Sequence, residues 1–138
     1  LLCYRADHPP ALAQRQRAAW QPVLDWIKAA HGFELIPVAG VMPREQPADV
    51  VAAMEAAIRA LDTERLTAFQ AAAAAAGSLA LALALVHGRI TAAQAFAATI
   101  LDESFQIETW GDDPLACERR EGLERDIAAA GAFLSLVP

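Results

Sequence analysis

Between Gly77 and Gly88 the chain reads GSLALALALVHG, and its inner stretch carries no group that water would solvate well. Strict Leu/Ala alternation formally describes a strand with its leucines on one face. Composition argues against that. Leucine and alanine are strong helix formers and neither is β-branched, Ser78 supplies an N-cap, and Gly88 follows as a stop. A helix over 78–87 is apolar all round, and only a helix surrounded by others tolerates that. The expected fold is therefore all-α, a compact bundle of about six to seven helices around this central apolar helix. At most one short extended segment is expected, near 33–40.

The remaining helices are read from their caps and stripes. Before Pro9 the residues LLCYRADH are extended, because a residue preceding proline is pushed out of the helical region. Pro10 opens a helix to about Ala19. Pro22 divides it from a second helix reaching His31, which Gly32 ends. Trp20, Val23, Leu24 and Ile27 share one face while Trp26 points elsewhere, so the two tryptophans lock a corner. Phe33–Gly40 alternates but is interrupted by Pro37, which makes it an edge segment. VMPREQP, from Val41, is loop. Val51, Met54, Ile58 and Leu61 mark a helix from Ala48; Asp62 caps the next, whose stripe is Leu66, Phe69, Ala73 and Ala76. Asp113 and Pro114 start a last helix to roughly Gly131, with Ala116, Leu123, Ile127 and Ala130 inward.

Thr91–Gly111, TAAQAFAATILDESFQIETWG, holds the residues of functional interest. Thr91 followed by Gln94 is a capping box, so a helix begins at Ala92. Ala93, Phe96, Ala97, Ile100, Leu101, Ser104 and Phe105 form the stripe expected to be buried. Thr99, Glu103, Gln106 and Trp110 recur at steps of four, three and four, a second line beside that stripe if the helix runs so far. A carboxylate, an amide and an indole together suit a protein contact.

Composition narrows the classes of function. A net charge of −6 and a pI near 4.9, without a Lys/Arg cluster, argue against nucleic-acid binding. Cys3 and Cys117 form no metal or redox motif and read as reduced thiols. The run Ala71–Val86 is too short and too broken at Gly77-Ser78 to span a bilayer. No phosphate loop, HExxH, nucleophile elbow or dinucleotide fingerprint occurs, so no cofactor and no metal are expected. Asp112 and Asp113 read as helix-start residues and Asp102 as exposed. His31 and His87 precede glycines, where a helix C-terminus favours them electrostatically. An enzyme would need His87 or His31 within hydrogen-bond reach of Glu103. A generic helical interaction or scaffold domain is the other alternative.

LCYRADHP at Leu2–Pro9, WQPVLDW at Trp20–Trp26, GSLALALALVHG at Gly77–Gly88 and ILDESFQIETWGDD at Ile100–Asp113 together resemble the ATP-twelve family, assembly chaperones for the alpha subunit of the ATP synthase catalytic sector. The resemblance runs from Cys3 to about Arg120. It implies that the chain is the C-terminal helical domain of a longer protein whose N-terminal α/β domain is absent. It implies no enzyme activity, no membrane insertion, a monomer in the bacterial cytoplasm (the mitochondrial matrix for eukaryotic relatives), and two partners: the unassembled alpha subunit and the protein's own N-terminal domain. By position Glu103 matches a functionally important glutamate, and Gln106, Trp110 and Gly111 complete the motif, with Thr99 on the same expected line. Gln21 departs from the family's usual aspartate. A face built on Glu103 is thus expected to meet either the client or the N-terminal domain.

Overall fold

The computed structural model describes residues 1–40 and 42–138. Among these are seven helices and two strands of two residues each, so the all-α expectation holds. The chain divides into two compact units, Leu1–Asp62 and Thr63–Pro138.

In the first unit, β1 (Tyr4–Arg5) pairs in parallel with β2 (Val38–Ala39), Tyr4 opposite Val38. The extended reading of the N-terminal residues and of 33–40 meets in this pair. Val41, at the start of the expected loop, lies outside the described residues. Between the strands runs α1 (Pro10–His31), with proline in its first turn and Gly32 as a left-handed cap at φ 77°. The expected division at Pro22 does not occur. Pro22 is exposed, as is Ala18, whose carbonyl the proline leaves without its helical donor, so water meets it at little cost. On the other side Gln16, Trp20, Val23, Leu24 and Ile27 continue one buried face past the proline. After β2, α2 (Ala48–Arg59) buries Val50 and Met54, while Val51, expected inside, is exposed.

The residues quoted first for the resemblance interlock here. The Arg5 guanidinium lies 5.8 Å over the Trp20 ring and donates to the Leu2 carbonyl at 2.6 Å and to Gln21 Oε1 at 3.2 Å. Gln21 in turn donates to Asp25 at 2.9 Å, so the glutamine bridges a cation and a carboxylate. The buried Gln16 accepts from the Ala6 amide at 2.7 Å. The two motifs are one packed corner.

The second unit begins with α3 (Thr63–Ala76), which buries Ala68, Phe69, Ala72 and Ala76. Gly77, at φ 62°, and Ser78, which accepts from the Leu81 amide, separate it from α4 (Leu79–Val86). Ala80 through Val86 are all buried and α4 packs on α3, on α5 (Ala92–Thr99) and on α7 (Pro114–Ser135), which meets the requirement set by its composition. Only Leu79 on this helix is exposed. α7 runs past Gly131, because that glycine is a point of close approach and not a stop. A Cβ there would sit 3.0 Å from the Ala92 methyl of α5.

Candidate functional site

The capping box at Thr91 is formed: the Gln94 amide donates to Thr91 Oγ1 at 3.1 Å and the Thr91 amide to Gln94 Oε1 at 2.8 Å. The helix it starts does not reach Gly111 unbroken. Ile100, at φ −98° and ψ 14°, separates α5 from α6 (Leu101–Trp110). The buried stripe shifts accordingly. Ala95 and Ala98 are the buried residues of α5, whereas Ala93 and Ala97 are exposed, and α6 has no fully buried residue. Alanine carries little phase information, since it is accepted on either face of a helix; the larger side chains Phe96, Ile100, Leu101 and Phe105 are half-buried at the boundary.

The break also divides the expected line. Thr99 ends α5, and its hydroxyl donates back to the Ala95 carbonyl at 2.8 Å. Glu103, Gln106 and Trp110 stay together on α6, and Gly111 ends that helix at φ 88° with its amide donating to the Ile107 carbonyl at 2.9 Å. Gln106 is exposed and Trp110 is 84 % exposed. A tryptophan so open does not plug a helix end.

Glu103 is not a free surface charge. Its carboxylate accepts from Arg119 and, at 3.0 Å, from Arg120 Nη1, both on α7. Arg120 Nη2 donates to both oxygens of Asp112, at 2.7 and 2.6 Å. The Arg120 side chain is 10 % exposed, so a buried guanidinium joins α6, the connector and α7 through two carboxylates. A charge buried this far needs such pairing. Asp113 performs the expected capping, accepting from the Leu115 amide at 3.2 Å, while Asp112 serves Arg120. Hydrogen bonds from that guanidinium hold the Asp112 carboxyl below its ordinary value, and the same bonds push Arg120 further up. Asp102 is half-buried, not exposed.

The Glu103 carboxylate, which the enzyme alternative would use as acid or base, is paired with two arginines. The sequence reading missed Arg119 and Arg120 because they pair with Glu103 across 16 and 17 residues, a separation to which no helical period points. No described helix is long and apolar enough to cross a membrane.

No protein-family model matches the chain. Among solved structures it is similar to Atp12 from Paracoccus denitrificans, with a TM-score of 0.94 and 35% identity, over 99% of this chain and 59% of that one. It is also similar to a protein of Agrobacterium tumefaciens provisionally described as a chaperone, with a TM-score of 0.86 and 41% identity, over 97% of this chain and 50% of that one. The chain thus spans between half and three fifths of the length of these relatives.

Proposed function

We infer the function from one premise: the chain belongs to the ATP-twelve (Atp12) chaperone family. On that premise it is the C-terminal helical part of an assembly chaperone. The full protein binds the unassembled alpha subunit of the ATP synthase catalytic sector and keeps it from aggregating until it pairs with beta. The alpha subunit's interface for beta is apolar, and exposed apolar patches of that kind drive aggregation. Binding, not turnover, is the activity, carried out in the bacterial cytoplasm without a cofactor.

The observation that carries the contact surface is Trp110, an indole 84 % exposed within the stretch Ile100–Asp113 that carries the resemblance. Trp110 supplies apolar area and the exposed Gln106 supplies hydrogen bonds. Glu103 acts on the client through Arg119 and Arg120, which fix α6 against α7 and so hold Trp110 and Gly111 in place. Thr99, tied to its own helix, marks the edge of the surface.

The test is co-purification of the complete protein with newly made alpha subunit, for the native chain and for Trp110→Ala and Glu103→Ala. Capture by the native chain and its loss in folded Trp110→Ala is the expected result. Full capture by both folded variants overturns the surface. A fall in melting temperature of the Trp110→Ala variant that appears only when the N-terminal domain is present would assign the surface to that domain.

A further inference from the structure

Glu103, Gln106 and Trp110 stand on the least anchored helix of the second unit. α6 has ten residues and no fully buried side chain, whereas every other helix of that unit buries two or more. Helices shorter than about 12 to 15 residues are marginal in water on their own, and most helical stability comes from an apolar face packed against a core. α4 is shorter still, at eight residues, yet all but Leu79 are buried. The apolar groups of α6, Leu101, Phe105 and Ile107, are only half-buried.

Both ends of α6 are interruptions. At the first, Ile100 stands in the N-cap position, where its aliphatic side chain bonds none of the first-turn amides. At the second, Gly111 adopts φ 88° and ψ 171°, a combination open in practice to glycine alone. A Cβ there would meet nothing within 4 Å, so the constraint lies in the backbone and not in packing. From that turn Asp112 reaches Arg120 on α7. With Glu103 on the same guanidinium, α6 is fastened to α7 at its first turn and just beyond its last.

An element with little packing, fastened through a shared guanidinium, opens before the structure around it. We propose that α6 opens and closes as one unit between Ile100 and Gly111 while α4 and its neighbours stay folded, that Arg120 is the latch of the closed form, and that the alpha subunit is held only by that form. This rests on the reading of the Trp110 surface as a client site and adds its regulation. Closed, α6 presents Gln106 and Trp110 one turn apart on one side; open, their spacing no longer places them side by side. A client that binds the closed form alone draws the population toward it, and whatever weakens the latch lowers the apparent affinity by the fraction left closed.

Native-state hydrogen exchange, read amide by amide in the complete protein, tests the opening. The amides of 104–111, from the Ser104 bond to Ile100 through the Gly111 bond to Ile107, should share one protection factor, roughly a hundred-fold or more below that of α4 and insensitive to dilute urea, because a local opening exposes little surface. Two variants address the two devices. Arg120→Met removes the latch; Gly111→Ala keeps every charge and disfavours the turn from which Asp112 reaches it. Each should lower protection over 104–111 by about ten-fold or more beyond any change in α4, and each should weaken alpha-subunit capture. Protection over 104–111 equal to that of α4, or fading evenly from the helix ends inward, overturns the proposal. So does a loss in either variant that falls equally on both helices. In the complex, exchange over 104–111 should slow by about ten-fold or more. Capture with exchange there unchanged leaves the client site standing and overturns the coupling; absence of capture by the native protein overturns the client reading, while exchange in the free protein decides the opening by itself.

Discussion

Arg120 donates from one nitrogen to both oxygens of Asp112, at 2.7 and 2.6 Å, across the turn that joins α6 to α7. Glu103 takes its other terminal nitrogen. α6 has no fully buried residue, so this element is placed less by core packing than by a guanidinium that two carboxylates of the α6–connector segment share. Removing one member of such a group leaves a charge without its partner, which costs more than the pair contributes.

Acid should loosen that turn. Hydrogen bonding to Arg120 lowers the folded-state value of Asp112 below its ordinary 3.8. A carboxyl depressed in the folded state contributes stability that is present above the unfolded value and is lost as pH falls through the folded one. Stability curves of native chain and Asp112→Asn should therefore lie apart at neutral pH, with the variant weaker. They should converge below pH 3.8, where the aspartate of the unfolded chain is protonated. Denaturant midpoints taken at intervals from pH 7 to pH 2.5 measure this, and curves a constant distance apart would refute it.

The two glycines inside α7 should respond in opposite ways to alanine. At Gly122 a new methyl would find only Arg125 Nη2, 3.8 Å away on a flexible side chain. Removing the entropy cost of a mid-helix glycine should then stabilise Gly122→Ala by about 0.5–1 kcal/mol. At Gly131 the methyl would meet the Ala92 methyl at 3.0 Å, on a neighbouring helix that must move to admit it. Gly131→Ala is expected to show no gain or a loss, by thermal melts of both variants side by side.

What the sequence disclosed follows this division between local and non-local causes. Ser78, Thr91, Asp113, Gly32 and Gly88 were legible as caps or stops because capping is settled within a few residues. Pro22 and Gly131 misled, since each is tolerated inside a helix for a reason found elsewhere: an exposed carbonyl at Ala18, a close approach to Ala92. Alanine-rich stretches gave the wrong phase in α5, whose small side chains do not say which face is inside. Of the line read from spacing, Glu103, Gln106 and Trp110 lie together on α6, but Thr99 fell across the break at Ile100. The partners of Glu103 had no local signature at all.

In the first unit Trp20 is the side chain on which the packed corner turns. It is fully buried, lies under Arg5, and belongs to the face that carries α1 past Pro22. Trp20→Ala should cost about 3–5 kcal/mol, the range for deleting a buried aromatic whose cavity cannot fully collapse. Urea unfolding quantifies this, and a loss under about 1 kcal/mol would mean that the corner closes over the gap.

Trp110 and Arg120 should separate binding from stability. Trp110 is 84 % exposed and sits on the last turn of α6, so Trp110→Ala removes little buried surface and should change stability by no more than about 0.5 kcal/mol. Its effect should fall on alpha-subunit capture. Arg120→Met keeps the aliphatic stem but strands Asp112 and leaves Glu103 only Arg119, so it should lower the melting temperature and weaken capture together. Arg119→Met removes an exposed partner of the same carboxylate and should disturb stability less than Arg120→Met, because surface ion pairs contribute little. Melting temperature and capture measured on the three variants give the order. If Trp110→Ala melts early, or Arg120→Met weakens capture without melting early, the guanidinium is not what places the indole.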